Sequence, residues 1–181
     1  MSNLVEKQLS REEIYNGAVL HVVRDEVQLP NGKRSVREVC LHNGAVAIIP
    51  ILDDGTVIME RQYRYAHGRV VLEIPAGKLD SADEPPLDAA RRELREETGA
   101  VADEIVYLGA IVPSPALISE VIHLYMAKGL HLGERELDED EFLDVEHIHL
   151  DRLYEMVMKG EIEDSKTQIA VLKAYNLLNN K

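Results

Sequence analysis

A single cysteine, Cys40, is all the thiol chemistry this chain has. That excludes a disulfide within the chain and a cysteine-built zinc site. Cys40 stands in an apolar alternation, where a thiol serves as a small buried hydrophobe. Long apolar runs are missing too. The longest, residues 45–52, is far shorter than the ~20 residues of a membrane-spanning helix. The opening residues, Met1-Ser2-Asn3-Leu4-Val5-Glu6-Lys7, show no apolar signal region, so a cytoplasmic location is expected. Basic residues are scarce: 20 Lys and Arg stand against 33 Asp and Glu, a net charge of −13. Non-specific nucleic-acid binding runs on phosphate neutralisation by Lys and Arg, and an anionic membrane attracts the same residues. Neither partner is expected, and most of the acidic residues read as solubility charge. Internal repeats and low-complexity segments are absent.

What is present suits one domain, or a domain with a small appendage: 181 residues with 45% hydrophobic content. Residues 15–41 read as β structure, with Val27 and Leu29 alternating with polar residues, a Pro30-Asn31-Gly32 turn, then Val36, Val39 and Leu41. Residues 45–52 read as a buried strand, Asp53-Asp54-Gly55 as a hairpin turn, and residues 56–61 as the returning strand. Further strands are expected over 70–74, 104–112, 120–126 and 142–147. A helix is expected to start near Pro85 or Pro86 and to end at Gly99. Its Ala89, Ala90 and Leu94 should face the core, opposite its carboxylates. Two helices should close the chain, over about 151–159 and 165–178. In the last, Ile169, Leu172, Tyr175 and Leu178 form the expected core stripe. Elements in this order argue against a doubly wound parallel sheet and for a mixed sheet between helices.

The densest information lies between Ala76 and Ala100, where a glycine loop leads into a helix carrying Glu93, Glu96 and Glu97. At i, i+3 and i+4 these carboxylates share one helical face and repel each other. A divalent cation would remove that repulsion, and oxygen-only ligands suit Mg²⁺ or Mn²⁺ working with substrate phosphates. Arg92-Glu93-Leu94-Arg95-Glu96-Glu97-Thr98-Gly99-Ala100 resembles the second half of the Nudix box at every fixed position. Seven residues separate Glu84 from Arg92, as the box asks, but six residues instead of five separate it from Gly77. The extra residue falls in the loop, where insertion costs little.

The resemblance extends further, toward the ADP-ribose pyrophosphatase subfamily of Nudix hydrolases. It is carried by Glu73-Ile74-Pro75-Ala76-Gly77, by Gly44-Ala45-Val46-Ala47, by Gln62-Tyr63-Arg64, and by Pro115 fifteen residues beyond the box. Ser114-Pro115-Ala116 and Ser119-Glu120 depart from the more usual Ser-Pro-Gly and Asp-Glu.

The resemblance implies an α/β fold: a Nudix-type α/β/α sandwich with a mixed sheet, preceded by a small N-terminal β segment. The expected division is an antiparallel, dimer-forming segment over 1–42 and a Nudix domain over 43–181. The implied reaction is Mg²⁺-dependent hydrolysis of ADP-ribose or a related ADP-sugar to AMP and ribose 5-phosphate. The alternatives are another nucleoside diphosphate compound (a GDP-sugar or dinucleoside polyphosphate) or a non-catalytic ADP-ribose sensor. Glu93 and Glu97 are the first candidate metal ligands, Glu96 the third, and the resemblance adds the Ala76 carbonyl. Gly77 shapes the loop, and Arg92 orients the carboxylates by ion pairing. An acidic loop at Asp138-Glu139-Asp140-Glu141 supplies the candidate general base, Glu139, and a further ligand, Glu141. The two roles are open to exchange. Arg37 and Arg64, and less directly Arg34, are candidates for gripping adenine or diphosphate, since arginine stacks on bases and forks onto phosphate. Tyr15, Tyr63 and Tyr65 suit core or interface packing, or adenine stacking. His147 and His149 place two imidazoles on one side of a strand. A homodimer is expected.

Overall fold

The computed structural model describes residues 3–137 and 141–179 and divides into two compact units. One takes the chain up to Asn43 together with Ser114–Glu120, and the other takes Gly44–Pro113 and the chain from Val121 on.

The smaller unit is an antiparallel sheet of β1 (Lys7–Asn16), β2 (His21–Gln28) and β3 (Arg34–Leu41), in that order. Strand β1 begins well before the expected residue 15. Two bulges, between Gln8 and Ser10 and between Glu13 and Tyr15, break its alternation, and every β1 residue is exposed. No period-2 pattern could therefore announce it. It is fastened by the Arg11 guanidinium, which donates to both carboxylate oxygens of Asp25 at 2.8 and 2.7 Å. Segment 114–120 joins this unit through a parallel bridge between Ile118 and Cys40. The buried apolar core here is thin, with Val23 and Val27 at its centre, while Leu4, Val5, Ile14, Tyr15, Val19 and Leu20 are exposed.

The larger unit holds two sheets. β10 (Leu143–His149), β5 (Thr56–Arg64) and β6 (Arg69–Glu73) form one, in the order β10-β5-β6. β7 (Ala76–Lys78), β4 (Ala45–Pro50), β9 (Ile122–Leu132) and β8 (Ala100–Ile111) form the other, with β4 and β9 parallel. The helices are α1 (Pro86–Thr98), α2 (Leu150–Met158) and α3 (Ser165–Asn179). Every residue of β4 is buried, because both its faces are covered. Ala45, Ala47 and Ile49 pack with α2 and α3, while Val46 and Ile48 pack with α1. This is the expected α/β/α layering.

Several local expectations change. The Asp53–Gly55 turn forms, but β4 and β5 share only one bridge, Ile51 with Val57, because β7 and β9 occupy the two edges of β4. β8 starts at Ala100, drawn out by pairing with β9 as far as Leu132. In α3 the buried line is Thr167, Ala170, Val171 and Ala174. Small residues let the helix approach the sheet, so the larger Ile169, Leu172, Tyr175 and Leu178 pack only at the flanks of the core. Tyr15, Tyr63 and Tyr65 are exposed and take no part in the core. His149 serves as the N-cap of α2, accepting from the Asp151 amide at 3.3 Å.

Candidate active site

Helix α1 is built as its caps dictate. Pro86 opens it, where the missing N–H had no partner. Gly99 closes it in the left-handed region at φ 71°, its amide donating to Arg95 O at 2.8 Å. A Cβ on Gly99 would also meet the Gly133 carbonyl at 2.4 Å, so this glycine lets the stem of the acidic loop lie against the helix end. Gly133 N donates to Gly99 O at 2.7 Å and Glu136 N to Glu96 O at 3.0 Å. The loop thereby satisfies carbonyls that a helix C-terminus leaves open.

Ala89, Ala90 and Leu94 are buried as expected, but the expectation that the carboxylates lie opposite them fails for Glu93 and Glu97. Glu93 and Glu97 belong to the buried face with Ala90 and Leu94, at i, i+3, i+4 and i+7. Strand β7 receives them. The Ala76 amide donates to Glu97 Oε2 at 2.9 Å. At Gly77 a Cβ would lie 1.9 Å from Glu93 Oε1, so the carboxylate occupies the space that only glycine leaves. Glu96 is half-buried, and Arg92 bridges the group, donating to Glu93 Oε1 at 2.6 Å and Glu96 Oε2 at 3.3 Å. Arg92 also reaches Glu84 at 3.3 Å. The extra loop residue is absorbed by the Asp80–Glu84 turn, where the Asp80 amide donates to Glu84 Oε2 at 2.6 Å. Burial would lower the Arg92 pKa, but Glu93, Asp80 and Glu84 around it raise it.

Glu60, which the sequence did not single out, completes the acidic wall. It is 3% exposed, and its Oε1 has no hydrogen-bond partner among the described residues. The signal that could have found it is an acid continuing the buried run Val57-Ile58-Met59 of β5. Burial, reinforced by neighbouring carboxylates, pushes Glu93 up to about 7 and holds Glu60 and Glu97 well above the ordinary carboxylate range. Glu141 acts on all three. Buried like charges at this density hold protons unless a cation replaces them.

The other candidate residues fall in several places. Arg64 grips Glu73 in a two-point fork at 2.7 and 2.8 Å, and Lys166 also donates to Glu73. Burial would raise Glu73, but these two cations hold it below its usual range. Arg64, Glu73, Asp164 and Lys166 line a cavity of about 400 Å³. Arg34 and Arg37 belong to the smaller unit, where they pair with Glu26 at 3.0 Å and Glu6 at 2.6 Å. Glu139 lies outside the described residues.

Comparison with known proteins gives this arrangement its class. Residues 41–169 match the NUDIX domain, and residues 6–40 match the nucleoside diphosphate sugar hydrolase N-terminal domain. The chain belongs to the NUDIX family of hydrolases. It is 41% identical over 173 residues to an ADP-ribose pyrophosphatase of Bacillus subtilis (strain 168), covering 94% of this chain and 93% of that protein. It is 43% identical over 168 residues to a methanol dehydrogenase activator of Bacillus methanolicus, covering 92% and 90%. A solved structure of an ADP compounds hydrolase shares the fold, with TM-score 0.87 and 24% identity over 99% of this chain and 98% of that one.

Nudix hydrolases generally work with a divalent metal ion, and the residues present fit one. The donors are all oxygen, three of the carboxylates are buried and crowded, and one oxygen of Glu60 is orphaned. Among the described residues no group of three or more His, Cys, Asp or Glu side chains is already gathered so as to hold a metal ion. A hard ion that keeps several waters and takes few protein ligands does not need one.

Proposed function

We propose that the chain is a Mg²⁺-dependent hydrolase of ADP-ribose and related ADP-sugars, releasing AMP and ribose 5-phosphate. The observation that carries this reading is the burial of Glu97 and Glu93 against Ala76 and Gly77, with the buried Glu60 near enough to act on Glu97. The similarity to the Bacillus subtilis ADP-ribose pyrophosphatase supports the substrate.

Glu93, Glu96, Glu97, the Ala76 carbonyl and Glu141 would hold the metal. A Mg²⁺ (or Mn²⁺) ion held by these groups would supply charge neutralisation at the diphosphate and a more acidic water. The chain's own groups do the rest. The Ala76 amide and Arg92 hold Glu97 and Glu93 in place, and the closely packed sheet keeps bulk water from their buried sides. Glu139 takes the proton from the attacking water as general base, a role interchangeable with that of Glu141. Arg64, set by Glu73 at the edge of its cavity, is assigned to diphosphate or adenine, and Arg37 and Arg34 are assigned the same role on their residue type alone.

We assign residues 1–42 as a dimer-forming segment and 43–181 as the catalytic domain. The exposed apolar residues of the smaller unit support a homodimer. The acidic charge and lone cysteine support a cytoplasmic location. A second reading, in which the chain acts on a dehydrogenase, is favoured by the 43% identity to the methanol dehydrogenase activator. It differs in requiring the partner protein.

The test is product release from ADP-ribose, ADP-glucose, GDP-mannose, diadenosine polyphosphates, NADH and dGTP, with Mg²⁺ and with EDTA. Metal-dependent cleavage led by ADP-ribose, without any added protein, is expected. Cleavage led by another compound overturns the substrate, and binding of ADP-ribose without cleavage moves the chain to the sensor class.

Metal binding should also be linked to pH. Glu60, Glu93 and Glu97 have folded pKa values raised above the ordinary 4.5. The metal-free folded protein therefore binds more protons than the unfolded chain, and its stability falls as pH rises above about 4.5 and goes on falling beyond 7, as Glu93 and then Glu60 and Glu97 ionise. Mg²⁺ displaces those protons. The rise in Tm on adding Mg²⁺ should be larger at pH 8 than at pH 5.5, and titration calorimetry in buffers of different ionisation enthalpy should report proton release. A shift independent of pH would show that the metal binds elsewhere.

A further inference from the structure

The first turn of α3 lies far in sequence from the Nudix box, yet it grips the strand that leads into it. Thr167 is fully buried. Its Oγ1 accepts the Ile74 N–H at 2.9 Å and donates to Asp164 Oδ2 at 2.6 Å. The Thr167 amide donates to the same Asp164 oxygen at 2.9 Å. One residue earlier, Lys166, also buried, donates to Glu73 and reaches Asp164 at 3.1 Å.

The need for a hydroxyl follows from the sheet. β6 is an outer strand, and its pairing with β5 ends at Glu73, opposite Glu60. Ile74 lies one residue beyond, buried, and its N–H has no strand to meet. A buried amide requires an acceptor, and Thr167 supplies it. Pro75 follows with no N–H of its own, and its carbonyl accepts from Ile48 at 2.9 Å. Next comes Ala76, whose amide holds Glu97, and then Gly77, against which Glu93 lies. The residues from Glu73 to Gly77 are thus each fixed from outside, and α3 fixes the first two.

We infer that Thr167, oriented by Asp164, is a positioning residue for the metal-binding carboxylates: by fixing Ile74 it sets where Ala76 and Gly77 present themselves to Glu97 and Glu93. The inference rests on the reading that these glutamates hold the metal. Thr167 touches neither metal nor substrate and acts only through the backbone of residues 74–77. A side chain of the same shape without the hydroxyl would leave the Ile74 amide unpaired and free that segment to shift.

The experiment compares Thr167→Val, Thr167→Ser and Glu97→Gln with the wild type. Mn²⁺ affinity is measured without substrate by electron paramagnetic resonance, and Tm is measured in EDTA. Thr167→Val should weaken Mn²⁺ binding about tenfold, the scale seen when groups orienting metal ligands are removed. Thr167→Ser, which keeps the oxygen, should stay within about twofold of wild type. The Mg²⁺ needed for half-maximal rate should rise in parallel in Thr167→Val. If Thr167→Val binds Mn²⁺ as the wild type does while only its Tm falls, Thr167 merely anchors α3 and the inference is overturned. If Glu97→Gln also binds like wild type, the metal assignment fails and the inference falls with it. Should Thr167→Val lose its cooperative unfolding transition, Asp164→Ala, which removes the acceptor that orients Thr167, decides by the same measurement: weakened Mn²⁺ binding supports the inference, and unchanged binding overturns it.

Discussion

Glu97→Gln should fold normally and lose activity by orders of magnitude, on the order of 10³-fold, or about 4 kcal/mol of barrier. The structure makes this a clean substitution. The side chain is 2% exposed and accepts the Ala76 amide at 2.9 Å, and the glutamine oxygen can accept the same bond. What disappears is the charge. In the metal-free protein that charge is a liability, because burial, with Glu60, Glu93 and Glu141 nearby, drives the Glu97 pKa up. The variant should therefore be as stable as wild type or more so in EDTA at pH 8, while the Tm increment from Mg²⁺ disappears. Thermal denaturation with and without Mg²⁺, paired with steady-state kinetics, reads both effects. Activity near wild type would remove Glu97 from the site.

Gly77→Ala should cost nearly as much by a different route. The added Cβ would lie 1.9 Å from Glu93 Oε1, 2.1 Å from its Cδ and 2.5 Å from Oε2. The Gly77 backbone is not left-handed, so alanine meets no conformational penalty there, and the collision falls on the carboxylate alone. That group ends a flexible side chain and can swing aside, so the fold should survive. Its departure unseats Glu93 from Arg92. A displacement of about 1 Å in a catalytic group costs roughly 10²-fold, and activity is expected to fall by about that much. A crystal structure of the variant should show Glu93 in another rotamer. Full activity with Glu93 in place would mean that the strand had moved instead, and that the fit between Gly77 and the carboxylate is not what sets the site.

The two substitutions mark the limit of what a linear reading offers. Glu93, Glu96, Glu97 and Arg92 were legible because a helix repeats every 3.6 residues, so spacing alone gathers them on one face. The helix ends were legible as well, since proline and glycine act locally. β4 announced itself because a strand covered on both faces needs an unbroken apolar run. Glu60 was not legible. It sits in β5, and its meeting with Glu97 depends on α1 packing across the sheets. Strand β1 was hidden by its own bulges and full exposure. On α3 the stripe of Ile169, Leu172, Tyr175 and Leu178 does pack against the core, but from its flanks, because close approach to a sheet selects the smaller Ala170, Val171 and Ala174.

By itself, then, the sequence determined the class of chemistry. Oxygen donors at helical spacing and a glycine loop ahead of them point to a divalent ion and a phosphate compound, because each depends on residue type and local periodicity. Tertiary structure decided how the donors are tuned. Only the packing of α1 against β7 and β4 buries Glu93 and Glu97, brings them within the field of Glu60 and raises their proton affinity. Only the docking of α3 places Thr167 under Ile74. Desolvation and charge proximity are properties of groups close in space, and residues 60 and 97, like residues 74 and 167, meet only once the chain has folded.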